Sequence, residues 1–292
     1  MLNPWLLAMR PKTLPASVSP ILLGSALAFD QGLFRWSVFG LAMICALALQ
    51  IAVNFANDYF DAKSGVDTEK RLGPQRATQS GLISSQRMLM ALLLVCLVAF
   101  ISGMGLVWLS DWVLLVLGIA SLVAVFAYSG GPFPLASHGL GEITVLLFFG
   151  LLAVGGTYYA HSLHITASVL GYGVVAGLIS AAIMLVNNIR DIPTDAPAGK
   201  HTLAVMLGDQ LARELYKWLL VFALVMHLLV SFNLGFASFV PLLVVAPMAR
   251  RLIQQSRQLQ GAELNQLLAR TAVLEMAYCL LASMVLLVMR WL

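Results

Sequence analysis

A chain whose apolar residues arrive in one run of about 20 after another has few folds open to it. In a hydrocarbon layer every backbone amide must be satisfied within its own helix or in a closed barrel, and about 20 helical residues cover the ~30 Å core. Nine such runs can be read along the 292 residues: 14–29, 38–57, 88–109, 112–128, 142–159, 168–187, 215–232, 236–248 and 271–289. The expected fold is therefore all-α, a polytopic membrane protein of about nine transmembrane helices forming a single domain over residues 1–292. With 60% hydrophobic and 10% charged residues, the composition excludes a soluble globule, which carries roughly 25% charge. It equally excludes a disordered chain. The run at 236–248 is short and holds Pro241 and Pro247, so it is expected to be tilted or irregular.

Charge placement orients this frame. With the N-terminus in the cytoplasm, every one of the 17 Lys and Arg residues except Arg35 and Arg290 falls on the cytoplasmic side, the asymmetry expected of an inner (plasma) membrane protein. The net charge of +4 thus reports topology and gives no reason to expect a nucleic-acid partner. Trp5, Trp36, Trp108, Trp112, Trp218 and Trp291 lie near the ends of runs, where amphipathic rings meet headgroups. Cys45, Cys96 and Cys279 sit singly in apolar stretches, without the spacing of a metal knuckle or a disulfide framework. Three cytoplasmic loops stand out, at 58–87, 129–141 and 188–217, while the far-side loops are short. Polar chemistry is therefore expected at the cytoplasmic face.

Six of the 13 acidic residues fall in two clusters that directly follow runs. The first holds Asn54, Asn57, Asp58, Asp61, Asp67 and Glu69; the second holds Asn187, Asn188, Asp191 and Asp195. Spacings of three and four place Asn54, Asp58 and Asp61 on one helical face, whereas Pro193 is expected to break or kink the helix between Asp191 and Asp195. Carboxylates at helix C-termini oppose the macrodipole, and two such clusters facing one region repel unless cations lie between them. Ligation by carboxylate and amide oxygens, with no clustered His or Cys, selects Mg²⁺ over zinc or copper. Lys63, Lys70, Arg71, Arg76, Arg190 and Lys200 lie nearby as candidate anion ligands. Together these residues describe a membrane-facing site for a Mg²⁺-bound diphosphate with a hydrocarbon tail.

The residues Asn57-Asp58-Tyr59-Phe60-Asp61 with downstream Arg76, and Asn188-Ile189-Arg190-Asp191 followed by Asp195 and Lys200, resemble the two aspartate-rich motifs of the intramembrane aromatic prenyltransferases, the UbiA superfamily. Arg10-Pro11-Lys12-Thr13-Leu14, Gly65-Val66-Asp67, Arg71-Leu72-Gly73-Pro74 and Gly139-Leu140-Gly141-Glu142 are similar to the branch acting on 1,4-dihydroxy-2-naphthoate in menaquinone synthesis. The broader family often has an Asp where this chain has Gly65, and Asp67 is the nearest replacement. The resemblance implies that Asp58, Asp61, Asp191 and Asp195 are catalytic, holding Mg²⁺ on a polyprenyl diphosphate together with Asn54, Asn57 and Asp67. It further implies Lys12, Arg71, Arg76, Tyr128, Asn188, Arg190 and Lys200 as ligands of diphosphate or acceptor, and demethylmenaquinone as the product after loss of CO₂ and pyrophosphate. Other acceptors, such as 4-hydroxybenzoate, haem or a chlorophyllide, remain open within the same superfamily. A divalent-cation transporter is the alternative from another class, but it would need ionisable residues through the whole layer. Among the remaining residues, His161 and His164 read as far-side interfacial groups, and Glu275 as the partner of nearby Arg270 in an ion pair at the membrane boundary.

Overall fold

The computed structural model describes residues 3–64, 73, 76–232 and 235–291, and among them every regular element is helical. A short helix α1 (Pro4–Met9) and a 3-10 turn (Pro11–Thr13) lead into α2 (Leu14–Asp30) and α3 (Trp36–Ser64). Then follow α4 (Ser85–Leu109), α5 (Val113–Ser129), α6 (Gly141–Ser162), α7 (Ala167–Asp195), α8 (Leu203–Ser231), α9 (Val240–Ser256) and α10 (Leu264–Met289). Among the described residues eight helical segments are long and apolar enough to cross a membrane, and α5 is a shorter apolar helix of 17 residues.

Several helices outrun the apolar runs that announced them, and they do so toward the polar face. α3 continues past Asn57 to Ser64, so Asp58, Asp61 and Lys63 ride on its last turns. α7 continues to Asp195 with Pro193 inside it, and the expected break does not occur. A proline so close to a helix end forfeits one backbone bond, while the Thr194 hydroxyl donates to the Asp191 carbonyl (2.9 Å). α8 starts at Leu203, where Thr202 accepts from the Val205 amide as N-cap, and it is interrupted at Gly208 (φ 74°). The long polar loop read at 188–217 therefore shrinks to 196–202. The eighth segment, expected to be short, runs over Phe236–Ser256 because the helix carries through Pro247 and includes Arg250 and Arg251.

Close helix contacts come from glycines. A Cβ on Gly150 would lie 2.4 Å from the Gly173 carbonyl oxygen, and one on Gly177 would lie 2.6 Å from the Leu146 carbonyl oxygen. α6 and α7 thus meet backbone to backbone at a small-xxx-small pair, along a stretch of α6 (Leu146–Gly156) wound as a π-helix. Two apolar clusters flank the interior. One gathers Phe55, Met88, Leu92 and Val125 from α3, α4 and α5; the other is built on α7 with α2, α8, α9 and α10. The far end is laced by Arg35, whose side chain donates to the carbonyls of Leu109 (2.8 Å) and Ala160 and to Ser110 Oγ (3.1 Å). His161 is buried there, against the expectation of an interfacial histidine: it accepts from the Arg35 amide (3.1 Å) and stacks on Phe34.

Candidate active-site cavity

A cavity of about 400 Å³ opens between α2, α3, α4, α5, α6 and α7. One end is polar, walled by Asn57, Asp61, Arg76, Asn188, Asp191, Asp195 and Lys200; the rest is largely apolar, with Leu106, Leu114, Leu117, Phe148, Phe149 and Leu152. This polarity gradient follows from the helix overruns, since the C-terminal turns of α3 and α7 carry their carboxylates beyond the apolar part of each helix.

The two acidic clusters meet at Lys200. Its Nζ lies 3.9 Å from Asp61 on α3 and 3.6 Å from Asp195 on α7. Arg76 forms an ion pair with Asp61 as well. Lys200 is placed by its amide, which donates to the Asp195 carbonyl (3.0 Å), and by the next residue, whose amide donates to the Ser137 carbonyl (2.9 Å). Asn57 accepts a hydrogen bond from Ser129, which ties α3 to the end of α5. Tyr128 lines the cavity one residue earlier and donates to the Met184 sulfur (3.2 Å).

Other residues singled out in the sequence act behind this wall. Asp58 is buried and is not part of the cavity lining: its two oxygens accept from the Ala77 and Thr78 amides (2.9 Å each). It thereby anchors the turn that presents Arg76. Arg190, also buried, grips Asp191 through two bonds (2.8 and 2.6 Å) and holds Asn187 (2.8 Å) and Asn265 (2.7 Å). Asn54 lines the cavity, yet its amide nitrogen donates to the Met9 carbonyl (2.8 Å) and Thr13 (3.1 Å). Lys12 is exposed on the 3-10 turn and Arg10 takes the place on the wall. Asp67 and Arg71 lie outside the described residues. Glu275 does not pair with Arg270: it is fully buried, accepting from Ser180 (2.6 Å), while Arg270 donates to Gln255 (2.9 Å). The helical rotation that carries residue 275 inward puts it against α7.

Sequence reading passed over Gln50 and Ser129 on the cavity wall, and named Arg10, on the same wall, and Glu142, which is buried and accepts from Asn188 (2.8 Å), only as motif residues without a site role. Gln50 carried a legible signal as an amide inside an apolar run, one turn before Asn54. Among the described residues no three His, Cys, Asp or Glu side chains converge closely enough to hold a metal ion by themselves. The donors at the polar end are carboxylate and amide oxygens from two helices, with cations beside them. Such a set fits a hard divalent ion that completes its shell with oxygens of a bound phosphate, and it does not fit zinc or copper.

Fold and cavity define an integral, multi-pass membrane protein with a charged polar mouth above an apolar chamber. The chain belongs to the UbiA prenyltransferase family, which it matches over residues 17–276. It is 37% identical to the 1,4-dihydroxy-2-naphthoate octaprenyltransferase of Haemophilus influenzae, over 98% of this chain and 96% of that one. To the Escherichia coli protein of the same description it is 42% identical, over 79% and 76%. Among solved structures, a UbiA homolog from Archaeoglobus fulgidus bound to GPP and Mg²⁺ superposes with a TM-score of 0.71 at 15% identity, covering 97% of this chain and 99% of that one. The apo UbiA homolog from Aeropyrum pernix gives 0.71 at 18%, covering 94% and 97%.

Proposed function

We propose that this chain, as one domain over residues 1–292, transfers a polyprenyl group from polyprenyl diphosphate to 1,4-dihydroxy-2-naphthoate. Pyrophosphate and CO₂ leave, and the product is the hydroquinone form of demethylmenaquinone. The observation that carries this reading is the meeting of Asp61 and Asp195 at Lys200, above an apolar chamber. The naphthoate acceptor is supported by the descriptions of the relatives from Haemophilus influenzae and Escherichia coli.

In this reading Asp61, Asp191 and Asp195, with Asn57, would hold Mg²⁺ at the diphosphate, where the ion would supply Lewis-acid stabilisation of the departing pyrophosphate. Arg76 and Lys200 neutralise the same oxygens as negative charge builds on them. Asp58 and Arg190 serve this set from behind, the first by fixing the Arg76 turn and the second by orienting Asp191. The allylic cation left by C–O cleavage lies near Tyr128, whose ring stabilises positive charge. The chamber excludes water that would quench it. The acceptor ring attacks through C3, loses the C3 proton, and takes a proton at C2 as CO₂ departs. The lacing of the far end by Arg35 and His161 favours this chemistry over ion transport, since it seals the bundle opposite the polar mouth. The Lys and Arg asymmetry supports a mouth on the cytoplasmic side of the inner membrane.

The test uses purified protein in detergent, a radiolabelled polyprenyl diphosphate, Mg²⁺ or EDTA, and either 1,4-dihydroxy-2-naphthoate or 4-hydroxybenzoate. Mg²⁺-dependent labelling of the naphthoate alone is expected. Labelling of the benzoate instead would overturn the acceptor, and absence of transfer to either would overturn the reading.

A further inference from the structure

One hydrogen bond joins two walls of the cavity where the polar mouth gives way to the apolar chamber. Tyr128 on α5 and Met184 on α7 both line the cavity, and the Tyr128 hydroxyl donates to the Met184 sulfur (3.2 Å). The direction of this bond is set by chemistry, because a thioether has no proton to give. The height of the pair is set from both sides. Ser129, next to Tyr128, donates to Asn57 at the mouth. Met184 is half-buried and lies one turn before Asn188, on the face of α7 that carries Asp191 and Asp195 into the cavity. About 10 Å along α7 separates Met184 from Asp191, the length of a diphosphate and its first allylic carbons. Among the described lining residues the only other sulfur belongs to Cys45, about four turns deeper on α3 than Asp61.

We propose that Met184 is a catalytic residue whose sulfur faces the allylic cation formed beneath the diphosphate, and that the Tyr128 hydroxyl keeps this contact from becoming a covalent bond. The proposal rests on the functional reading above. Thioether sulfur is large and polarisable, so a positive charge in contact with it draws on its electron density, as it does on an aromatic face. The same lone pairs make the sulfur a nucleophile toward an allylic cation. A hydrogen bond from Tyr128 engages a lone pair and lowers that nucleophilicity while the polarisability remains. Tyr128 then has two roles, its ring toward the cation and its hydroxyl on the sulfur. Without the hydroxyl, a sulfur lone pair closes on C1 of the prenyl group as the C1–O bond breaks. Pyrophosphate leaves with the bonding electrons, and Met184 becomes a prenyl sulfonium. A methionine that only filled the wall would give way to leucine, a volume-conserving swap, at no cost to turnover.

The experiment compares wild type, Met184→Leu, Tyr128→Phe and the double variant, with melting temperatures as the check on folding. It measures kcat and donor KM with 1,4-dihydroxy-2-naphthoate as acceptor. It also measures the label on the peptide containing Met184 after incubation with radiolabelled polyprenyl diphosphate and Mg²⁺ in the absence of acceptor. Met184→Leu is expected to lower kcat about tenfold at unchanged donor KM. Tyr128→Phe is expected to carry prenyl label on Met184, and the label is expected to disappear with EDTA and in the double variant. A Met184→Leu kcat within about twofold of wild type, or an unlabelled Met184 in Tyr128→Phe, would overturn the assignment. A wild type that transfers no prenyl group to the naphthoate would overturn the functional reading instead.

Discussion

Asp58 and Asp61 sit three residues apart on α3 and are turned to different tasks. About 60° of helical rotation separates them, enough to send Asp58 to the backbone amides of Ala77 and Thr78 while Asp61 stays on the cavity wall beside Arg76 and Lys200. Spacing alone made both readable as members of one face, and composition made both readable as metal ligands; neither contains the direction in which a carboxylate is consumed. The same holds for Arg190, legible as an anion ligand and found as a strut behind Asp191. The two aspartates should separate by assay. Asp58→Asn turns an amide NH₂ against a backbone N–H and is expected to cost about 1–3 kcal/mol of stability, seen as a lower melting temperature, with a raised donor KM. Asp61→Asn is expected to melt like wild type while kcat falls by about 100-fold or more. Identical effects of the two substitutions on stability and turnover would contradict the division.

At the scale of helices, hydropathy located the elements and misplaced their ends, for a physical reason. An apolar run marks the hydrocarbon layer, whereas a helix ends where its backbone is capped. Ser84, Thr166 and Thr202 accept from the amides three residues on and start α4, α7 and α8. Of these, Thr202 lies well before the apolar residues of its run, which is why α8 read as a loop over 203–214. Helix packing was equally hidden, because Gly150 lies on α6 while Gly173 and Gly177 lie on α7, and they meet only in three dimensions. Gly177→Ala should be costly, since its Cβ would sit 2.6 Å from the Leu146 carbonyl, a backbone atom unable to swing aside. A loss of about 1–3 kcal/mol is expected, read as a lower melting temperature in detergent. Gly40→Ala, with open space around the Cβ, is the control and should change little.

For the molecule as a whole, the two basic residues that broke the charge asymmetry turn out to be structural. Arg35 laces α4 and α6 at the far end, and Arg290 donates to the Asp30 carbonyl (3.1 Å) at the C-terminus of α2, where a cation complements the helix dipole. Sequence could identify them as exceptions without revealing their partners. What remains for the polar end of the cavity is the central claim, that α3 and α7 contribute to one diphosphate site and not to two. Binding of a non-hydrolysable prenyl thiodiphosphate, titrated calorimetrically in Mg²⁺ into wild type, Asp61→Asn, Asp195→Asn and the double variant, tests this most directly. The account predicts a stoichiometry of one, about tenfold or greater loss of affinity in each single variant, and a double variant short of the product of the two losses, because neighbouring groups on one ligand are not additive. Two binding events, or a single substitution that abolishes one event and spares the other, would contradict it.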